Sequence, residues 1–419
     1  MICNDCSRRD FIRIALGGTA AAGLANRFWL PSADALPMAA KAKSVILLWL
    51  QGAPSQLDTF DPKPGSVTGG PTKAIDTAMG GVQFADSLPL LAKSADQFSL
   101  IRSLHSNDPN HDSARYLLHT GWRKNETVDH PHVGSLVSKE LGVRKGGLPG
   151  CITFGGSNES GAGFLPYDYA PLIIEKVEKP LEDLVLPKGV TLKRLREREL
   201  LLRAQNKSFQ KDHQEEMVDA QQKAYDRALE MIRSSHLKAF DISKEKDRLR
   251  RAYGETPFGK ACLMARRLVG AGVRFVEVTL ADWDTHEDNF TRTSELCNQL
   301  DPAMSTLIED LESRGMLDDT IVLCMGEFGR TPRINPNAGR DHFSRAFFAA
   351  LAGGGIQPGR VVGKTNETGT EITERPVSVA DLYSTLYKQL GIDPEKKYKS
   401  KSDRPIQILE GGKPIHELL

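Results

Sequence analysis

The chain has 419 residues, 40% of them hydrophobic and 26% charged, the make-up of a globular protein with room for a self-sufficient core. Those values exclude intrinsic disorder, collagen-like repeats and small disulfide-held scaffolds. With 55 Lys and Arg against 54 Asp and Glu, the net charge of +1 draws the chain toward neither nucleic acid nor anionic lipid, and no apolar run is long enough to span a bilayer.

The first 35 residues read as an address. Ser7-Arg8-Arg9-Asp10-Phe11-Ile12 precedes an Ala/Gly-rich apolar stretch and then Ala33-Asp34-Ala35, a pattern that resembles a twin-arginine export signal. It implies passage through the twin-arginine machinery, a periplasmic or secreted destination, and a protein that folds, with any metal already inserted, before export.

The mature chain would then be one domain over residues 36–419. Ser44 to Leu50 is a short, continuous apolar run broken at Gln51-Gly52-Ala53-Pro54, which predicts a buried parallel strand ending in a loop. That loop would present Ser55 and Asp58. A helix is expected to open at Asn110-His111-Asp112-Ser113 and to run on through Leu118, with Asn110 or Asp112 as its cap. Residues 192–253 are rich in Arg, Lys, Glu and Gln without a strand signal, and predict two or three flanking helices. A helix over 260–270, a strand over 273–280, a helix over 294–314 and a strand over 320–325 follow in alternation. Gly353-Gly354-Gly355 reads as a helix terminator and not as a nucleotide cradle. Cys151, Cys262, Cys297 and Cys324 are too scattered for a C-x-x-C site, so buried free thiols are expected.

Strand and helix alternating in this way predict an α/β fold, doubly wound around a mostly parallel central sheet flanked by helices, with the helical stretch near 192–253 as an insertion. In such sheets ligands sit beyond the carboxyl ends of the strands. Asp284-x-His286, Glu327 and Asp341-His342 all follow apolar strands or lie in Gly-rich loops. Carboxylates and imidazoles gathered at one edge are the donor set of a divalent metal site, for Zn, Mn, Mg or Ca. His111, Asp112 and Ser113, at a helix start, could supply a further ligand or nucleophile. Neither Ser55 nor any other serine stands in a G-x-S-x-G elbow.

Several segments together carry a family resemblance: Arg8-Arg9-Asp10-Phe11, Gly52-Ala-Pro-Ser-Gln56, Phe60-Asp61-Pro62-Lys63-Pro64, Ala265-Arg266-Arg267-Leu268, Trp283-Asp-Thr-His286, Gly326-Glu-Phe-Gly-Arg-Thr-Pro332 and Gly339-Arg-Asp-His342. They resemble the secreted domain-of-unknown-function 1501 family, which is similar to the sulfatase and alkaline-phosphatase superfamily of two-metal ester hydrolases. That resemblance puts Glu327 at a metal-binding Asp and Phe328 where the superfamily has His. It makes Asp284, His286 and His342 one metal site, with Asp282 as the competitor of Asp284. The second site is altered, with Glu327, His111 and Asp58 as its available groups. Two departures stand out: Gln51 or Gly52 replaces the Asp that ends the first strand, and His111 occupies the nucleophile position.

The resemblance implies an exported, metal-dependent hydrolase of sulfate or phosphate esters, acting on a small-molecule or glycan substrate. Metal-activated water replaces the missing Ser or Cys nucleophile, and Arg115 or Arg330 holds the anion beside His111. The alternative is a non-catalytic carbohydrate- or protein-binding module on the same fold.

Overall fold

The computed structural model describes residues 40–419 apart from 144–146, 156–160, 180–185, 187, 210–214 and 400–403. The expected export signal lies outside the described residues. Strands β1 (Ser44–Leu50), β2 (Ser99–His105), β3 (Cys151–Phe154), β4 (Leu172–Ile174), β5 (Phe275–Leu280) and β6 (Thr320–Met325) precede a hairpin of β7 (Gly329–Ile334) and β8 (Arg340–Phe343). Then come β9 (Phe347–Ala352), β10 (Val361–Val362) and β11 (Val377–Ser378).

All but the hairpin join one sheet in the order β10-β2-β9-β6-β1-β5-β3-β4, with β11 also paired to β2. β1 runs parallel to β5 on one side and to β6 on the other. Only β9 runs against its two neighbours, β2 and β6. The sheet is therefore mixed and mostly parallel, as the alternation predicted. Every residue of β1 is buried, the reason its apolar run is continuous and not alternating.

The helices longer than six residues are α1 (His111–Thr120), α2 (Val133–Leu141), α3 (Leu192–Phe209), α4 (Glu215–Arg233), α5 (Pro257–Gly270), α6 (Asn289–Ser313) and α7 (Val379–Leu390). Inward residues of α5 and α6 pack with Ile46, Leu48, Val276 and Val278 on one face of the sheet. Those of α1, α2 and α7 pack with Val45, Leu47, Trp49 and Phe275 on the other. The sheet is doubly wound. Arg227 of α4 donates to the carbonyls of Tyr167 and Ala170, next to edge strand β4, so the charged segment flanks that edge.

Three boundaries differ from the sequence reading, α5 starting at Pro257 and not at residue 260, and Gly353-Gly354-Gly355 follows strand β9 and not a helix. β5 starts at Phe275 because Val273 N–H turns back to Leu268 O at 3.0 Å and closes α5. α6 starts at Asn289, ahead of the apolar spacing, because its first turn buries the polar Asn289 and Thr293. Cys151, Cys262, Cys297 and Cys324 are buried free thiols, as expected. Among the described residues no helix is long and apolar enough to cross a membrane.

Candidate metal centre

The three adjacent parallel strands β6, β1 and β5 deliver their following loops to one edge, and each loop supplies one part of the site. Gly52 follows β1, Asp284 follows β5, and Glu327 follows β6. The α1 helix adds His111 at its first position; Asn110 is its cap, accepting from the N–H groups of Asp112 and Ser113. The β7–β8 hairpin adds His342, which faces Arg330 across the ladder, and Asp341 beside it.

The ring nitrogens of three histidines share one orientation. His111 Nδ1–H donates to Glu327 Oε1 at 2.7 Å, His286 Nδ1–H to Asp341 Oδ1 at 2.9 Å, and His342 Nδ1–H to the Pro109 carbonyl at 2.7 Å. With every Nδ1 proton committed, each ring in its neutral form leaves a lone pair on Nε2. Those Nε2 atoms converge on Asp284 Oδ1, at 3.5 Å from His111, 3.1 Å from His286 and 3.5 Å from His342. His286 Nε2 and His342 Nε2 are 2.9 Å apart, a spacing that two bare lone pairs hold only with a proton or a cation between them. Tetrahedral zinc with bonds of ~2.0 Å has ligand–ligand edges of about 3.3 Å, close to the separations from Asp284 Oδ1, and the donor atoms of His111, Asp284 and His342 all lie within 4.8 Å of one another. His111 Nε2 and Glu327 Oε2 are buried with no hydrogen-bond partner among the described residues. The donor set fits a divalent cation.

Each histidine is backed by an acceptor that fixes its tautomer, the usual arrangement around a protein-bound metal. Glu327, 1% exposed, also receives Gly52 N–H at 3.0 Å, so Oε1 acts on His111 and Oε2 remains spare. Arg330 steadies Asp284: Nη2 reaches Oδ1 at 2.5 Å, while its other donors bind the carbonyls of Gly52 and Ala53. Burial by itself would lower the His111 pKa, but the facing carboxylates of Asp284 and Glu327 carry it up to about 9. For Asp284, burial raises the pKa, and His111, His342 and Arg330 outweigh it, holding the carboxylate well below its ordinary range. In the metal-free protein the His111 proton thus occupies the place of positive charge.

The structure brings together His111, Asp284, His286, Glu327, Arg330 and His342. It does not bring Asp58 or Arg115 to them. Asp58 is buried in a separate network in which Arg340 Nε donates to Oδ2 at 2.7 Å and Asn289 Nδ2 to the same atom at 2.8 Å. Ser55 and Thr72 hydroxyls complete that network. Arg115 pairs with Asp112 on its own helix at 2.8 Å. Between Asp282 and Asp284, only Asp284 turns its carboxylate to the histidines; the Asp282 carbonyl accepts from Arg292. Phe328, where the superfamily resemblance expected a His, lies with its ring centroid 4.8 Å from those of His111 and His342 and walls the site.

Residues 42–419 match the family described as a protein of unknown function, DUF1501. The chain belongs to the DUF1501 family. No curated protein matches the DUF1501 chain in sequence. Among solved structures it is similar to the lipoteichoic acid synthase LtaP from Listeria monocytogenes, at 13% identity and TM-score 0.42, over 91% of this chain and 77% of that one. The PsFucS1 sulfatase from Pseudoalteromonas sp. is 15% identical, TM-score 0.40, over 85% of this chain and 69% of its own. The phosphonate monoester hydrolase of Agrobacterium radiobacter is 13% identical, TM-score 0.39, over 89% and 78%.

Proposed function

We propose that this DUF1501 protein is a metal-dependent hydrolase of sulfate or phosphate esters. The observation that carries the reading is the convergence of three Nε2 lone pairs on Asp284 Oδ1, each Nδ1–H being spent on an outer acceptor. His111, His286, His342 and Asp284 would hold the ion, and a nitrogen-rich set of this kind suits zinc better than magnesium or calcium. Such an ion supplies Lewis-acid activation of water or of an ester oxygen. The chain's own residues prepare the place. Glu327 keeps His111 in the ligating tautomer, Arg330 aims Asp284, and Phe328 gives the pocket a dry wall.

The test is metal content by mass spectrometry on the purified protein and on Asp284→Ala/His342→Ala, followed by assays on aryl sulfate, phosphate and phosphonate esters. About one ion per wild-type chain, lost together with turnover in the variant, supports the reading. Full turnover in the metal-free variant sinks it.

A binding module on the same fold is the second reading, favoured by one observation. Arg330, expected to grip an anion, spends its guanidinium on Asp284 and on backbone carbonyls. Metal uptake and glycan binding without turnover of any of the three ester classes would select it.

We also propose export by the twin-arginine route to a periplasmic or secreted location, supported by Arg8-Arg9-Asp10-Phe11 and the apolar stretch behind it. Arg8→Lys/Arg9→Lys should hold the protein in the cytoplasm; unaltered export would refute the route.

A further inference from the structure

Glu277 sits in the middle of β5, in register with Leu47 of β1 and Thr153 of β3, and is 5% exposed. A carboxylate at such a place must be compensated. Two equally buried imidazoles face it. His119, in the last turn of α1, has Nε2 3.4 Å from Oε2, and His132, the cap of α2, has Nε2 3.0 Å from the same oxygen. A cation or a proton could bind such a trio, and hydrogen-bond direction decides between them.

His132 Nδ1 accepts the Gly134 N–H at 2.9 Å, so its neutral ring carries the proton on Nε2 and donates it to Glu277. A ligating imidazole needs the reverse arrangement, which His111, His286 and His342 have and His132 lacks. His119 Nδ1 donates to the Arg115 carbonyl at 2.9 Å, and its Nε2 faces a carboxylate oxygen. An imidazolium at His119 satisfies both of these partners. The titration behaviour agrees. For His119, burial lowers the pKa and Glu277 more than restores it, while burial dominates at His132 and lowers it. The trio holds a proton.

Its position gives the trio a purpose. α1 and β5 meet twice: at the strand edge through His111 and Asp284, and in the core through His119 and Glu277. Trp49 of β1 lies against His119, ring centroids 4.2 Å apart, and fills the space beside the pair. We propose that His119 and Glu277 are a positioning pair for the cation site, an ionic staple that fixes the helix carrying His111 against the strand leading to Asp284. The staple rests on the reading of the first cluster as a metal centre.

Zinc titration of the chelator-stripped full chain tests it, with thermal unfolding followed in parallel. The variants are H119Q, E277Q and the neutral pair H119Q/E277Q, which replaces both charges by amides of similar size so that the fold survives. Leu386→Ala, a core cavity on α7, is the control for general loss of stability. The wild type should bind about one zinc. H119Q/E277Q should unfold cooperatively and bind zinc about tenfold more weakly. The two single effects should not add, because the pair acts as one unit. Leu386→Ala should keep wild-type affinity at a lowered Tm. Unchanged zinc affinity in a folded H119Q/E277Q, or equal weakening in Leu386→Ala, overturns the staple while leaving the metal centre standing. A wild type that takes up no zinc removes the metal centre and the staple with it. An ion retained by Asp284→Ala/His342→Ala and released by adding E277Q would make the trio a cation site, and that too overturns the proposal.

Discussion

Gly52 leaves no room for a side chain against Asp284: a β-carbon on Gly52 would lie 2.5 Å from the Asp284 backbone nitrogen, and its φ is +105°. The peptide of Gly52 is fully used as well, its N–H on Glu327 and its carbonyl on Arg330. Here the backbone holds Glu327 and Arg330 in place, at the position where the superfamily the sequence resembles is expected to carry a metal-binding Asp.

Restoring that acid should therefore fail. Gly52→Asp forces a left-handed backbone and a backbone overlap, costing on the order of 4 kcal/mol or more. Thermal unfolding should show the loss and mass spectrometry no additional ion. A stable variant with a second bound metal would contradict the account of Gly52.

Asp58 offers the opposite contrast. Asp58→Asn leaves Arg340, which is wholly buried, without its charge partner, a loss of about 3–5 kcal/mol. Metal content at saturation should be unchanged, since the network of Asp58 is separate from the three histidines. Denaturant unfolding and metal analysis on the same sample check both halves.

Glu327→Gln keeps an acceptor for His111 Nδ1–H but removes its charge. Zinc affinity should fall about 10–100-fold, the range for loss of an outer partner of a ligand. Competition against a calibrated chelator measures it. Unchanged affinity would mean that Glu327 serves only to hold Gly52.

Cation binding should release a proton. With the His111 pKa raised to about 9, the imidazole is protonated at pH 7.5 and must lose about one proton to ligate. Calorimetric titration in buffers of different ionisation enthalpy counts it, and apparent affinity should rise with pH up to about 9. Release of no proton would show that His111 is not a ligand.

The buried trio sets a pH window for stability. The folded-state pKa of His119 lies above its unfolded value of about 6.5, so its contribution is complete below that pH and fades as pH rises through the folded value. Burial raises the Glu277 pKa but His119 and His132 outweigh it, so its contribution is complete above about 4.5 and is lost as pH falls through the depressed value. The Tm difference between chelated wild type and H119Q/E277Q should be largest between those limits and shrink on either side. A pH-independent difference would deny the pair its charge.

The fold was readable wherever burial was complete on both faces. β1 and β6 are unbroken apolar runs, and their ends located the site. Asp284 and His286 were expected from residue type beyond a strand end, and His342 from its Gly-rich surroundings, although it lies within β8. The helix start at Asn289 was not, because polar residues fill its first buried turn. Nor was the burial of Arg330: an arginine enclosed by backbone carbonyls looks, in one dimension, like any surface arginine. The trio was hidden because its members come from three elements far apart in sequence. One signal pointed to it: Glu277 interrupts a strand that is buried on both faces, and a charge placed there requires a partner.

Asp284, His286 and Asp341 are half exposed, with side-chain exposures of 46%, 43% and 56%, while Glu327 and Arg330 lie beneath them at 1% and 0%. The rigid, already hydrogen-bonded layer is at the bottom, and the donors that meet an arriving ion are at the mouth. Loading then needs no unfolding and no dedicated gate, and an ion can leave by the path it entered. On the proposed reading, occupancy would be a property of the surroundings as much as of the chain, and a strong chelator would empty the cup within the folded protein.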